Sequence, residues 1–360
     1  YKRKEDGKWI AGSPTKSKEL SLEEAIALAR EKRDMLVKGA QLIDQLDRNA
    51  PASDYITLQT ELEGVLNGLE NTGWAHKYYH MLFPGKIDAF HSADWQKYYL
   101  MKMGLIPQGD GRYAMAGQFV ELARDAGMSI HYVSRSLGRM FDSIHYYWRI
   151  GTTPGKMNYW EEMLAGGYAA TGWGQVGDMR EYENLNRNEL KQELKQKFET
   201  HYPKDARAIG RNVNQLILFL REIKPGDTIL AADGETILGV GRVAGEYEYR
   251  SDLINPHCMK VEWLLTTNIK LPNPKEGLRT TVYKMKDSEN IIEIEGLLTD
   301  KGSNSVPIQP PDPLTGIVGE IEKVLARKRQ VILYGPPGTG KTYFAEGACF
   351  QLAALSLYNK

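Results

Sequence analysis

The run Gly335-Pro336-Pro337-Gly338-Thr339-Gly340-Lys341-Thr342 has the residue types and spacing of a phosphate-binding P-loop. Its glycines allow a backbone path that turns N–H groups inward, and a helix starting at its end adds a dipole that favours an anion. Lys341 is then placed to reach the β- and γ-phosphates of ATP or GTP, and the Thr342 hydroxyl to hold the accompanying Mg2+. The flanks fit this chemistry. Val331–Tyr334 reads as a buried strand before the loop and Tyr343–Leu355 as a helix after it. Hydrolysis needs more: an acidic residue on the metal, a group that positions water and often an arginine from a neighbour. Thr342 is followed by only 18 residues (343–360), so the expectation is a piece of an NTPase that turns over nucleotide only as part of its full-length parent.

A second set of residues could recognise a flat ligand. Trp148, Trp160, Trp173, Tyr247, Tyr249 and Trp263 fall within one stretch of the chain. Reading a single base of a duplex requires that it be flipped out, stacked on aromatic faces and hydrogen-bonded along its edge. Trp173 stands between Gly172 and Gly174 at the end of an expected strand, where its ring can leave the backbone. Aromatic residues in a small sheet domain also serve as core, and Trp148 and Trp263 read that way. Tyr247 and Tyr249 share a face by alternation, so one role can serve both.

These residues need elements to hold them. From about Ser21 to Phe141 the pattern is helical, opening with the capping box Ser21-Leu-Glu-Glu24, so residues 1–144 read as an all-α domain. Short aromatic and β-branched runs then alternate with glycine-rich turns. Strands are expected at Tyr146–Ile150, Gly167–Trp173, Thr228–Ala232, Ile237–Ala244, Met259–Leu265 and Ile291–Leu297, with helices near Asn188–Thr200 and Ala206–Ile223. Residues 145–300 are thus an α+β domain with a strongly curved sheet or small barrel. Residues 301–316, with four prolines, read as an extended linker, and 317–360 as the start of an α/β nucleotide-binding domain.

Composition narrows the partners. Lys plus Arg equals Asp plus Glu at 46 each, so any attraction to nucleic acid must be local. Residues 145–300 carry 20 basic against 23 acidic side chains, and the candidate phosphate contacts there are Lys191, Lys195, Lys197, Lys204, Arg207 and Arg211, which read equally as a solvated helix face. The two cysteines, Cys258 and Cys349, match no metal spacing and fit a reducing, cytoplasmic setting, and no apolar run is long enough for a membrane helix. His76 and His80 share a helical face but lack a third ligand, so no structural metal is expected.

Three strings, YYWRI…NYWEEM (146–163), TGWGQVGDMREY (171–182) and IKPGDTILA…GVGRVAGEYEY…VEWLL (223–265), together resemble the EVE-type domain of the PUA-like superfamily, a relative of the YTH readers of methylated adenine. The resemblance covers about Tyr146 to Leu297. With GPPGTGKT after a linker, the arrangement is similar to an McrB-type AAA+ subunit of a modification-dependent restriction system, which acts in antiviral defence. That resemblance implies a homo-oligomeric AAA+ ring, DNA carrying a modified base as ligand, and a separate McrC-like nuclease subunit, consistent with the lack of any recognisable nuclease residues here. By position Trp173 matches the Gly-Trp that forms a pocket wall in EVE and YTH domains. Thr152, Thr153 and Asn158 lie on the loop where those domains place groups that bond the base edge, and Asp178 could do the same or cap a turn. Two other readings remain: a reader of modified RNA or a small ligand on a remodelling ATPase, and an AAA+ unfoldase whose N-terminal domains bind protein.

Overall fold

The computed structural model describes residues 1–13, 16–141, 143–302, 314–336 and 338–358, which divide into two compact units, Tyr1–Leu298 and Thr299–Lys360. Most of the expected linker, 303–313, lies outside the described residues, as does Pro337.

The first unit opens with a hairpin that the all-α expectation omitted, β1 (Trp9–Ser13) and β2 (Lys16–Leu20). Arg3 and Lys8, ahead of β1, both pair with Glu19 of β2. Helices follow: α1 (Leu22–Gln45), α2 (Ala52–Leu66), α3 (Gly73–Leu82), α4 (Ala93–Lys102), α5 (Arg112–Asp125) and α6 (Ile130–Phe141). The Ser21/Glu24 capping box is formed, at 3.1 and 2.7 Å. Ile43, Tyr55, Leu62, Tyr79, Tyr113 and Phe119 build their common core. α2 and α5 touch at Gly117, where a Cβ would lie 2.6 Å from the Tyr55 ring. His76 is buried beside His91, whereas the His80 Nδ1–H donates to Ile87 O, so the two histidines of α3 do not face one ligand. Among the described residues no group of three or more His, Cys, Asp or Glu could hold a metal ion, and no helix is long and apolar enough to cross a membrane.

The sheet comprises β3 (Tyr147–Gly151), β4 (Tyr168–Thr171), β5 (Thr228–Asp233), β6 (Thr236–Tyr249), β7 (His257–Leu265), β8 (Ile269–Lys270) and β9 (Val282–Lys284). The order is β4-β7-β6-β5-β3-β9, with β8 on β6; only β3 and β5 run parallel. The register of β6 shifts once against β5 and twice against β7, and β3 comes back against β4. The helices are α7 (Trp160–Gly166), α8 (Arg187–His201), α9 (Ala206–Arg221) and α10 (Ser288–Gly302). Trp148, Ile229 and Val243 pack with Phe219 and Ile223 on one face, and Tyr147, Leu230 and Val240 pack with Ile291 and Ile294 on the other. Coverage of both faces explains why these strands read as nearly continuous apolar runs.

One strand assignment is corrected. Ile291–Leu297 lies within α10, because IIEIEGLL also recurs at helical spacing and Asp287 Oδ1 accepts from Asn290 N–H (3.0 Å) at the helix start. Glu295 of α10 accepts from the Tyr147 hydroxyl (2.6 Å) and from Lys102 of α4 (2.7 Å), so helical bundle and sheet form one unit. At the strand edge Asp227 is buried, accepting from Tyr146 N–H (2.8 Å), Trp148 Nε1–H (2.7 Å) and Lys224 N–H (3.1 Å). Burial pushes its carboxyl up, against those three donors.

In the second unit α11 (Gly316–Lys328) packs on α12 (Lys341–Tyr358). The expected strand Val331–Tyr334 is not formed: among the described residues this unit holds no strand to pair with it, and Ile332 and Tyr334 are exposed.

Candidate functional site

The turn after β4 is unusual in its backbone. Trp173 sits at φ 68°, in the left-handed region that a bulky residue enters only at a cost of about 1–3 kcal/mol. Side chains remote in sequence hold it there. Tyr249 Oη–H donates to Gly174 O (2.9 Å), Gln175 N–H to Tyr202 Oη (3.0 Å), and Lys197 Nζ to Val176 O (2.7 Å). Gly174 has no room for a side chain, since a Cβ would lie 2.8 Å from Pro256. The Trp173 ring is half-buried, tilted against Phe198 at 5.8 Å between centroids.

His257, which the sequence reading did not single out, is the hub. Its ring is buried, with Nε2 3.3 Å from Trp173 O and Nδ1 2.8 Å from Tyr247 Oη. Burial pushes its pKa down to about 4, so the imidazole is neutral near pH 7. A carbonyl can only accept, so Nε2 carries the proton and donates to Trp173 O, and Nδ1 accepts from the Tyr247 hydroxyl. Tyr247 Oη in turn accepts from Met179 N–H (3.3 Å), completing a directed chain from the 179 turn to the Trp173 carbonyl. Asp178 caps that turn: it accepts from Arg180 N–H (3.0 Å) and pairs with the Arg180 guanidinium (2.5 Å), which holds its carboxyl below the usual range. Beside Tyr249 a cleft of about 310 Å3 opens, lined by Gly174, Tyr202, Ile254 and Pro256.

The other predicted base contacts gather elsewhere. Thr152 is fully buried and its hydroxyl donates to Ala232 O (3.1 Å). Thr153 Oγ1 and Asn158 Nδ2 donate to the two oxygens of Asp233, at 2.8 and 3.0 Å. Asp233 pairs with Thr236 at the start of β6, whereas Tyr247 and Tyr249 lie at its end, so the seven candidate residues form two groups joined by one long strand. Of the basic candidates, Lys195, Lys204, Arg207 and Arg211 are exposed and Lys191 is half-buried. Lys197 is engaged with Val176 O and lies 5.1 Å over the Tyr182 ring, which makes it a tether of the turn.

In the second unit the loop at 335–342 runs directly into α12. Gly338 and Gly340 have φ 81° and 73°, and Gly340 O accepts from Phe344 N–H (2.9 Å) as the helix begins. Lys341 folds back over the loop, its ammonium donating to Gly335 O (2.9 Å) and Pro336 O (2.6 Å), while Thr339 Oγ1 donates to Pro336 O (2.9 Å). Thr342 is exposed in the first turn of the helix.

A family profile described as a domain of unknown function (DUF8426) matches residues 146–286, the sheet with its α7–α9 helices. No curated protein matches the chain. Among solved structures, the crystal structure of protein Atu2648 from Agrobacterium tumefaciens aligns over 42% of this chain and 93% of its own, at 16% identity and a TM-score of 0.23, too low to establish a common fold.

Proposed function

We propose that the chain couples recognition of a modified nucleobase to a nucleotide-driven motor, in the manner of an McrB-type AAA+ subunit carrying an EVE-like reader domain. The observation that carries the reading half is the strained Trp173 turn. A tryptophan kept at positive φ by His257, Tyr249 and a glycine with no space for a side chain costs stability, and such cost is characteristic of a side chain held ready for a ligand. Tyr247 and Tyr249 support the turn in this reading, and the stacking face is Trp173. Thr153 and Asn158, both bonded to Asp233, belong to the second group.

The motor half is supported by a loop whose glycines adopt positive φ ahead of α12 and whose lysine spans it. Gly335, Pro336, Pro337, Gly338, Thr339 and Gly340 would cradle the phosphates of ATP or GTP, Lys341 would contact them, and Thr342 would ligate Mg2+, which supplies charge neutralisation between the phosphates. Modified DNA, a homo-oligomeric AAA+ ring and an McrC-like nuclease are the partners this function requires.

The test is fluorescence anisotropy of the chain against short duplexes differing in one base modification, with a matched RNA, at fixed low salt. Selective binding to one modified duplex is expected. Preference for the RNA would move the assignment to an RNA reader, and equal, weak binding to every probe would remove the reader.

A further inference from the structure

At the end of β3 opposite the Trp173 turn along β6, a polar cleft of about 400 Å3 opens between the 233–234 turn and the 277–281 loop. Its wall includes Arg149, which is only 3% exposed although it comes from the middle of the sheet. The guanidinium donates to Gly277 O (2.9 Å) and to Gly234 O, both neutral acceptors, and forms no ion pair among the described residues. Glu276, the nearest acidic influence, is committed elsewhere, accepting from Lys286 N–H (2.6 Å), Asp287 N–H (2.9 Å) and Asn290 Nδ2 (2.9 Å). A buried cation whose partners are two carbonyls retains its full charge and three of its five N–H donors for something else.

The rim supplies more donors. Arg279 is exposed at the mouth, and Thr281 lines the wall. Asp233 also lines the cleft, but Thr153 and Asn158 each cover one of its oxygens, and two guanidinium groups against one carboxylate leave the lining positive. Donors arrayed on several sides suit a tetrahedral oxyanion, which accepts in three dimensions, better than a planar carboxylate, which one forked arginine saturates.

We propose that this cleft is a phosphate-binding site, with Arg149 at its base and Arg279 and Thr281 at its rim. Its volume exceeds that of a phosphate, leaving room for the attached sugar. The group is either a phosphodiester of a nucleic-acid strand or the phosphomonoester of a free nucleotide. The site lies within the first unit and shares no residue with the Trp173 turn, so it holds whether or not the base-reading function does.

The experiment is isothermal titration of the chain carrying Lys341→Ala, which removes the P-loop as a competing phosphate site. The probes are inorganic phosphate, a nucleoside 5′-monophosphate and a short single-stranded oligonucleotide without terminal phosphates, all at ionic strength matched with chloride. At least one probe should bind, and Arg279→Ala and Thr281→Val should each weaken it about tenfold, the scale of one charge-assisted hydrogen bond. Binding of phosphate and mononucleotide alone assigns a phosphomonoester, and binding of the oligonucleotide assigns a phosphodiester. Arg149→Met should abolish binding, but Arg149 also ties two loops and its loss lowers stability, so the rim variants decide. Absence of binding by every probe, or affinities unchanged in both rim variants, overturns the proposal.

Discussion

The 335–342 loop and the Trp173 turn are both short backbone devices containing glycine, yet they are assembled over very different distances along the chain. Lys341 finds its partners, Gly335, Pro336 and Thr339, within six residues. The Trp173 carbonyl is held by His257, 84 residues away, and Gly174 by Tyr249, 75 residues away. A device closed by its own neighbours exists wherever its sequence does. One closed across a sheet exists only while β4, β6 and β7 keep their register. The two should therefore respond differently to the same insult.

The largest separation is expected from Lys341→Ala. Removing the ammonium should reduce Mg-nucleotide binding below detection, because the loop then has backbone N–H groups but no charge to meet the phosphates. The Trp173 turn should be untouched, with the same urea midpoint and the same tryptophan fluorescence. Retained nucleotide binding, measured by calorimetry, would show that the loop is not the nucleotide site.

Acid should act in the opposite sense. Burial pushes His257 from 6.5 down to about 4, so between those values the unfolded chain binds a proton that the folded chain refuses. Stability from this group is complete above pH 6.5 and is lost as pH falls towards 4, up to about 3 kcal/mol. His91 in the helical bundle is pushed down to about 4 by burial as well and adds to the slope. Urea unfolding across this range should show the loss, and His257→Gln should flatten it partly. An unchanged slope in that variant would assign all of it to the bundle. The second unit contains no histidine, and nucleotide affinity should not follow the same window.

The contrast in range also explains what could be read in advance. GPPGTGKT is legible because all its parts are consecutive. Trp173 was legible through its two glycines, but the reason it is held was not, since that reason lies in His257. A signal existed: in HCMKVEWLL the histidine alternates with Met259 and Val261, so a polar ring had to face the interior. Arg149 gave a similar signal, a charge inside the apolar run YYWRI. The helical and sheet cores followed from periodicity, whereas IIEIEGLL satisfies period 2 and period 3.6 together and only packing on Tyr147 and Leu230 decides for a helix. Thr152 was placed correctly on its loop but its burial depends on Ala232 of a strand 80 residues away.

Substitutions at Trp173 sharpen the comparison at the level of one residue. Trp173→Ala should weaken modified-base binding by about 1–3 kcal/mol, the worth of a lost base–aromatic stack. Trp173→Gly should lose the same affinity while recovering backbone strain, so it should be the more stable of the two in urea. Unchanged base affinity in either folded variant would sink the stacking role, and a glycine variant less stable than the alanine one would mean that φ 68° is not a strained state here.

The smallest effects should come from the two tyrosine hydroxyls, and their ranking tests whether the turn is a directed network or a set of independent tethers. Tyr249→Phe removes one bond to Gly174 O, a carbonyl at the edge of an open cleft, where water can satisfy it, at a cost of about 1 kcal/mol. Tyr247→Phe removes the donor to His257 Nδ1 and the acceptor of Met179 N–H together, and the imidazole nitrogen is left buried without a partner. That variant should lose about 2 kcal/mol, with His257 still held in its Nε2–H tautomer by the Trp173 carbonyl. If urea unfolding gives the two variants equal losses, the chain from Met179 to Trp173 is not coupled and the turn is held by separate contacts. If Tyr247→Phe costs more, and also lowers base affinity where Tyr249→Phe does not, the backbone conformation of Trp173 depends on a hydrogen-bond path that no local motif contains.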